Sequence, residues 1–310
     1  MFNYTVLRFI LKFKNFCLIN FILFFICISQ CIARVDIQSY SYILQAEQEV
    51  SSKQDAIKKL RALDSDLIIL DAKFSNTQKW LPSDLDAIRN GKVAKKVICY
   101  LSIGEAENYR DYWQTSWDKN PPSWLLAENP NWAGNFKVQY WNANWQKIIL
   151  QDVDSIMLQG FDGLFLDIVD GFEFFEEQGD KYIDYKINSL TKHSYRQDMV
   201  NWIGLIAKRA KVIKHDAYIV PQNGIQLLQE PNYTQYITAQ ALEDLYTLNN
   251  KKQSISRIEY ILNFAKDCLE IPILTTEYPS KENIKKYAQQ KSEYYATILL
   301  LTNRDLTNYQ

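Results

Sequence analysis

The sequence predicts a single α/β domain folded as a (β/α)8 TIM barrel, and two observations support this fold class. Short runs rich in β-branched and aromatic residues alternate with stretches of helical periodicity, which is typical of a parallel α/β architecture. We find eight such runs in the 310-residue chain, and barrels of this kind place eight β/α units in roughly 250 residues.

The eight predicted strands follow one another along the chain, with helices between most of them. The strands cover residues 40–44, 67–71, 97–103, 163–168, 218–222, 236–241, 273–278 and 296–301. Helical periodicity is clearest at residues 51–63, 145–159, 195–214, 256–268 and 281–291. In the fourth strand, a short apolar run after Gly160 and Gly163 indicates burial on both faces. This strand places Asp167 and Asp170 where it ends.

Two long connections, after the third and the fourth strands, interrupt the alternation. Six of the eight tryptophans lie at or beside the first of them: Trp113, Trp117, Trp124, Trp132, Trp141 and Trp145. A long insertion in a compact barrel is usually functional. These rings form either a small core on top of the barrel or platforms that stack on sugars and attract a cationic amine. Among them, we predict that Trp141 contacts substrate.

The N-terminal segment differs from the rest of the chain. Three basic residues precede the apolar run at residues 16–28, which is the arrangement of a secretory signal peptide. Cys31 and Ala33 are the small residues that cleavage after Ala33 requires. We therefore expect residues 1–33 to be a signal peptide and residues 34–310 to form an exported domain, periplasmic or extracellular. An uncleaved N-terminal membrane anchor and lipidation at Cys31 are the alternatives.

Composition and cysteine usage exclude several classes of protein. The formal net charge is −1 and no basic face is present, so we expect no nucleic-acid partner. Only Cys99 and Cys268 lie outside the N-terminal segment, which excludes a domain stapled by several disulfides. We expect both to be buried thiols.

Polar residues cluster at the predicted C-terminal ends of the strands, where barrels of this fold build their active sites. These positions are Asp71, Ser102, Glu105, Asp167, Asp170, Gln222, Asn223, Glu243, Asp244 and Glu277. Most of the side chains are carboxylates. Such a set suits glycoside hydrolysis, in which one carboxyl protonates the leaving oxygen and another acts as nucleophile or activates water. For Asp167 alone, a helix cap or a structural ion pair is the alternative.

The same positions argue against other chemistries. The chain has two histidines, His193 and His215, and both lie in or beside a predicted helix instead of at a strand end. No G-x-S-x-G elbow, Walker loop or dinucleotide fingerprint appears. We therefore predict no metal and no cofactor, with a cation bound by carboxylates as the alternative.

Five sequence blocks, in a fixed order, resemble those of a known family. They are VICYLSIGEAENYR at 97–110, ENPNWAGN at 128–135, GFDGLFLDIVD at 160–170, PQNG at 221–224 and LEDLY at 242–246. These blocks resemble glycoside hydrolase family 114, the endo-α-1,4-polygalactosaminidase family. The Y-L-S-I-G-E-A-E block is similar to the bacterial and archaeal branch. The resemblance covers residues 38–300, approximately.

The resemblance implies roles for particular residues. It implies that Asp167 and Glu243 are the catalytic pair. It also implies a substrate groove lined by Asp71, Tyr100, Glu105, Asp170, Asn223 and Glu277. Ala72 and Lys73 depart from the family, which often has an aromatic residue after the aspartate of the second strand. We expect Asp167 to be the nucleophile or stabilising carboxylate and Glu243 the acid/base, and the reverse assignment stays open.

These observations together predict an exported, endo-acting glycoside hydrolase that cleaves an α-1,4-linked, partly deacetylated amino-sugar polysaccharide. The polysaccharide is the expected partner, and the membrane is a partner only through the N-terminal segment if that segment is uncleaved. One alternative is a glycosidase that acts on another envelope or matrix polysaccharide. The other is a polysaccharide-binding barrel whose carboxylates hold amines without chemistry.

Overall fold

The computed structural model describes residues 37–179, 181–269 and 271–309. The predicted signal peptide or anchor at residues 1–33 lies outside these ranges. Within the ranges, no helix has both the length and the hydropathy that a membrane span needs.

Eight parallel strands of the described chain form the barrel. They are β1 (Tyr40–Ile43), β2 (Leu67–Leu70), β3 (Lys96–Ser102), β4 (Gly163–Asp167), β5 (Tyr218–Pro221), β6 (Gln240–Glu243), β7 (Ile273–Glu277) and β8 (Ile298–Leu301). Strands β1 to β5 pair in that order, as do β6 to β8, and a bridge from Gln222 to Ala241 joins β5 to β6. Beyond the ends of β8 and β1, Leu44 N donates to Leu306 O at 3.0 Å. The predicted fold class is confirmed.

Eight α-helices lie within the described ranges. They are α1 (Lys53–Ala62), α2 (Pro82–Arg89), α3 (Ala143–Gln159), α4 (Phe172–Glu176), α5 (Tyr195–Ile213), α6 (Tyr233–Tyr236), α7 (Glu259–Cys268) and α8 (Glu282–Tyr295). Side chains of Ser52, Asn142 and Ser194 accept a backbone N–H in the first turns of α1, α3 and α5, which satisfies donors that have no partner inside the helix. Gly160 ends α3 with φ 102°, a conformation that favours glycine.

One predicted strand boundary and one helix differ clearly from the structure, and most other boundaries agree within a few residues. Strand β6 begins at Gln240 and not at residue 236, because residues 233–236 form helix α6. Thr238 already contacts β5, since Ile219 N donates to its side chain at 3.0 Å. Helix α2 is not predicted from the sequence. It is only eight residues long, and its apolar positions are too few to establish a helical period.

The barrel has two separate cores. Side chains that point outward from the strands, such as Leu164 and Leu166, pack against the helices. Side chains on the inward face fill the barrel, because successive residues of a strand point to opposite sides. Inside, the Tyr42 and Phe165 rings lie 4.9 Å apart, and Tyr40 Oη lies 2.7 Å from Thr276 Oγ1. The floor below the strand ends is therefore aromatic and dry.

The insertion after β3 forms a small antiparallel sheet. Its strands are Glu105–Glu107, Leu125–Glu128 and Asn135–Val138, with the last in the centre. The ring of Trp124 lies 5.2 Å from that of Trp117 and 5.3 Å from that of Trp145, and all three are buried. The small-core interpretation is confirmed for these rings. Trp132, in contrast, is 57% exposed.

The expectation of two buried thiols is wrong for one of them. Both cysteines of the described chain are free, but Cys99 is buried and Cys268 is exposed. Cys268 is the last residue of α7, whose buried face consists of Ile261, Leu262 and Ala265.

Replacement of Gly163 by alanine should destabilise the barrel strongly. A Cβ at this position would lie 2.1 Å from Tyr218 O and 2.5 Å from Tyr218 N, so β4 and β5 could not pair without a backbone shift. We expect a loss of about 3 kcal/mol or more in the free energy of unfolding, measured by urea denaturation. Gly171→Ala is the matched control, because its Cβ would meet its nearest atom at an ordinary 3.4 Å. Equal stability of the two variants would contradict this account of the close strand approach.

Candidate active site

A cleft of about 660 Å³ opens at the C-terminal ends of the barrel strands. Its lining includes residues that follow or end strands β1, β3, β4, β5, β6, β7 and β8: Tyr42, Tyr100, Glu105, Asp167, Asp170, Asn223, Glu243, Tyr278 and Arg304. This is the end of the barrel on which enzymes of this fold carry out their chemistry.

Asp167, the last residue of β4, is held by two neutral donors. Tyr100 Oη donates to its Oδ2 at 2.8 Å, and the backbone N–H of Ile168 donates to its Oδ1 at 2.8 Å. Burial, and then the charge of Glu243, raise the pKa of Asp167 to about 8. Ile168 has φ 57°, which is strained for a β-branched residue and is a feature that clusters at functional sites.

Glu243, the last residue of β6, is held in a similar way. Tyr278 Oη donates to its Oε2 at 2.7 Å, and its own backbone N–H donates to Asn223 Oδ1 at 3.2 Å. Burial raises the pKa of Glu243. Behind Tyr278, the Arg304 guanidinium lies 4.0 Å from the ring centroid. The two terminal guanidinium nitrogens of that arginine donate to the two carboxylate oxygens of Asp244, at 2.6 and 2.8 Å.

Asp167 and Glu243 form an interacting pair. The charge of Glu243 is the second cause of the raised pKa of Asp167, and both charges act on the Tyr42 hydroxyl, whose pKa burial raises first. A second carboxylate nearby makes ionisation less favourable, so one group of such a pair keeps its proton to a higher pH. Such a pair can supply an acid and a base in one step.

One wall of the cleft is acidic. Burial, and then the charge of Glu173, raise the pKa of Asp170 to about 7, and the charges of Glu243 and Glu105 add to the effect. Among the ion pairs of the described residues, none involves Asp170. Glu105 is 1% exposed and its carboxylate lies 3.4 Å from Lys137 Nζ. On this side of the cleft, Trp132 presents the exposed ring described above.

Four of the predicted substrate-binding residues line the cleft, and three do not. Tyr100, Glu105, Asp170 and Asn223 lie there with the predicted catalytic pair. Asp71 lines an adjoining cavity and accepts from Arg110 at 2.6 Å. Its carboxylate pairs with that arginine and does not line the cleft, so its role in substrate binding stays a prediction.

Glu277 and Trp141 are the other two residues outside the cleft. Glu277 is fully buried, and it accepts the backbone N–H groups of Tyr246 and Thr247 at 2.7 and 2.9 Å, so it organises the loop after β6. Trp141 packs with its ring centroid 4.7 Å from that of Phe175 and 5.2 Å from that of Tyr195. The sequence around Trp141 does not indicate that its ring packs against these two rings instead of facing the cleft.

Sequence reasoning also missed residues that shape the site. Tyr42 and Tyr278 line the cleft from the ends of β1 and β7, and Arg304 enters it after β8. Alternation along the strand places Tyr42 on the inward face and was available from the sequence. Arg304 lies beyond the last strand, and no pattern marks it.

Gln222 lies beneath the pair and has no hydrogen-bond partner for either side-chain atom among the described residues. It is 1% exposed, and its amide favours the charged form of Glu243 without meeting hydrogen-bond geometry. An unpaired buried amide is costly to a fold. Gln222 is therefore retained at the expense of stability, which is typical of a functional position.

No group of three or more histidine, cysteine, aspartate or glutamate side chains is arranged to hold a metal ion within the described ranges. The described His193 Nδ1 instead lies 3.3 Å from Asp198 Oδ1, on the loop before α5.

Gln222→Met should stabilise the protein and impair the site. The substitution keeps the length of the side chain and removes the unpaired amide, so we expect the free energy of unfolding to rise by about 1–3 kcal/mol. The amide no longer favours the charged form of Glu243, so the limb of the pH–rate profile that reports the ionisation of Glu243 should move to higher pH. Urea denaturation and pH–rate profiles measure the two effects.

Gln240→Met is the matched control for this prediction. Gln240 is also fully buried, but its Nε2 donates within 3.1 Å of the Pro221, Asn223 and Ala241 carbonyls and its Oε1 accepts from Tyr233 Oη at 2.8 Å. The control should lose stability. If both substitutions cost the same, Gln222 is an ordinary structural residue.

Asp167→Asn should raise stability at alkaline pH. The raised pKa of Asp167 means that the folded chain holds this proton more tightly than the unfolded chain, so ionisation costs the fold stability as pH rises toward about 8. The gain from Asp167→Asn, measured by urea denaturation, should be larger at pH 8 than at pH 4. Asp162→Asn, at the other end of β4, should destabilise at pH 8, because the hydrogen bond from Val97 N–H and the ion pairs with Arg89 and Lys214 lower the pKa of Asp162. The same sign for both variants would contradict the analysis.

Three comparisons place the chain among known proteins. An uncharacterised protein of Deinococcus radiodurans is 29% identical over 244 residues, which are 78% of this chain and 74% of that protein. The structure of Aspergillus fumigatus Ega3 in complex with galactosamine has a TM-score of 0.61 at 18% identity, with 87% of this chain and 93% of that chain covered. The glycoside hydrolase domain of Pseudomonas aeruginosa PelA has a TM-score of 0.64 at 14% identity, with 88% and 97% covered.

At these identities, the two solved structures show similarity of fold alone. The family model of glycoside-hydrolase family GH114 matches residues 37–310, which is nearly the whole chain. The described part of the protein is a barrel with a carboxylate-rich cleft at the expected end, as hydrolysis of a glycosidic bond requires. The chain therefore belongs to glycoside-hydrolase family GH114.

Proposed function

We propose that this glycoside hydrolase is endo-acting, cleaves an α-1,4-linked amino-sugar polysaccharide and uses Asp167 and Glu243 as its catalytic pair. The observation that carries this proposal is that the two carboxylates line one cleft, where burial and then the charge of Glu243 raise the pKa of Asp167. One of them can therefore hold a proton at neutral pH while the other is ionised.

The hydrogen bonds favour one assignment of the two roles. Both oxygens of Asp167 accept a hydrogen bond, which orients the carboxylate and favours its charged form. The hydrogen bond from Tyr278 reaches Oε2 of Glu243, and no bond of the described residues ends on its Oε1. Asp167 then acts as nucleophile or stabilising carboxylate, and Glu243 donates the proton to the leaving oxygen. Burial opposes this by raising the pKa of Asp167, but in a coupled pair the proton belongs to both groups.

The acidic wall supports an amine-bearing substrate. Asp170 faces the cleft without an ion-pair partner among the described residues, and an ammonium group would relieve the repulsion from Glu173 that raises its pKa. The exposed ring of Trp132 offers a face for a sugar ring and its cation. The Ega3 structure, similar in fold, holds galactosamine, which supports the same substrate class here.

The proposal includes export of the protein. The basic and apolar parts of residues 1–33 support a signal peptide. A polysaccharide outside the cell is the substrate that an exported enzyme of this family would meet.

Asp167→Asn and Glu243→Gln should each abolish most of the turnover. Both keep the shape of the side chain and remove the ionisable group, and general acid–base assistance alone contributes about 10²–10⁴-fold. The measurement is the release of reducing ends from partly deacetylated α-1,4-linked polygalactosamine. Asp170→Asn is the comparison, and it should cost less, because its carboxylate binds without making or breaking a bond.

Binding of the polymer should survive in both pair variants, since their cleft keeps its shape. If either variant kept more than about a tenth of wild-type turnover, the loss would be below the acid–base range and the pair would be wrongly assigned. Polymer binding by a wild-type protein that releases no reducing ends from any candidate glycan would instead favour the non-catalytic barrel.

A further inference from the structure

A second cavity, of about 410 Å³, lies beside the active-site cleft. We call it the side cavity, and it is enclosed by the loop after β2, the loop after β3 and one face of helix α3. Tyr100, Glu107 and Tyr109 line both the side cavity and the cleft, so the two spaces adjoin along this wall. Both spaces are therefore within reach of one extended ligand that lies across this wall.

Most carboxylates of the side cavity are already paired. Arg110 contacts Asp71 at 2.6 Å and Glu107 at 2.5 Å. Lys73 contacts Asp111 at 2.6 Å, so this cation, which is a departure from the family, has a carboxylate partner. These pairs fix the wall and leave little free charge on it.

Among the described residues, Glu47 and Asp152 are the carboxylates of this lining without such a pair, and only Asp152 is partly buried. It projects from the cavity face of α3, is half-buried, and takes part in no hydrogen bond or ion pair of its side chain among the described residues. Burial raises the pKa of Asp152 to about 6. A partly desolvated carboxylate without a donor is unfavourable, and a cationic ligand would remove that cost.

The volume of the side cavity and the exposed ring of Tyr109 also fit a sugar. A volume of this order lies in the range of about 300–1,000 Å³ that is typical of small-ligand sites. Tyr109 is 59% exposed, and the Arg110 guanidinium covers its ring at 5.4 Å from the centroid. The ring is thereby fixed at the junction of the two spaces, where a pyranose passing from one to the other would contact it.

We propose that the side cavity binds a further amino-sugar unit of the polysaccharide, whose ammonium group pairs with Asp152. This inference rests on the proposed function, because it takes the ligand class from the cleft. It assigns to the loops after β2 and β3 a binding role that extends recognition beyond the units at the catalytic pair.

The experiment compares binding of α-1,4-linked galactosamine oligosaccharides of increasing length to the Glu243→Gln protein, which should not turn them over. Calorimetry gives the affinity at each length. The double variant with Asp152→Asn should lose the gain that longer oligosaccharides show, by about tenfold or more, the value of one charge-assisted contact. N-acetylated oligosaccharides of the same lengths should show no such loss, because they carry no ammonium group.

Asp154→Asn in the same background is the matched control. Asp154 lies on the same helix and removes the same charge, but it bonds to Arg209 at 2.5 Å and does not line the side cavity. If Asp152→Asn and Asp154→Asn bind the long oligosaccharides equally, the inference is wrong while the proposed function stands. If the parent Glu243→Gln protein binds no galactosamine oligosaccharide of any length, the proposed function fails and this inference fails with it.

Discussion

The site depends on a difference between the two aspartates at the ends of strand β4, namely which groups bond to each carboxylate. At the N-terminal end, Asp162 accepts from Val97 N–H at 2.9 Å and contacts Arg89 at 2.7 Å and Lys214 at 3.0 Å. The backbone hydrogen bond and then the two cations hold its pKa below the ordinary value in spite of burial. At the C-terminal end, Asp167 meets the neutral donors Tyr100 and Ile168 N–H. A neutral donor orients a carboxylate without cancelling its charge, so only the second aspartate keeps chemical reactivity.

The same distinction applies to three other carboxylates of the described chain. Asp71 and Glu176 have arginine partners at 2.6 and 2.8 Å, which makes them parts of the framework. Glu243 has a tyrosine hydroxyl, with its arginine one ring further away. The aromatic interior of the barrel keeps the floor beneath the pair dry, which strengthens the coupling between the two charges. The carboxylates that have no directly bonded cation are thus the ones that remain available for chemistry.

The sequence predicted the fold because eight apolar runs at barrel spacing imply eight strands, and in a parallel barrel all strand ends share one face. The same rule placed Asp167 and Glu243 on that face, where both line one cleft, but only the resemblance to the family singled them out as a pair. The same rule locates a backbone position and not the direction of its side chain. Asp71 and Glu277 sit at strand ends, yet one turns to Arg110 and the other to the backbone of the β6 loop. Trp141 and Trp132 both lie in the connection after the third strand. Only the packing of the folded chain shows that the first is enclosed by other rings and the second is exposed.

The contact of Glu277 with the β6 loop limits how this barrel can be rebuilt. Loops of the fold are commonly regarded as exchangeable parts on a fixed scaffold. Here the loop after β6 takes its backbone hydrogen bonds from a carboxylate at the end of β7, so the loop and the neighbouring strand form one unit. A chimera that imports this loop without its own strand-seven glutamate would leave two buried N–H groups unsatisfied. The smallest transferable piece of this active site is a loop together with the strand that follows it.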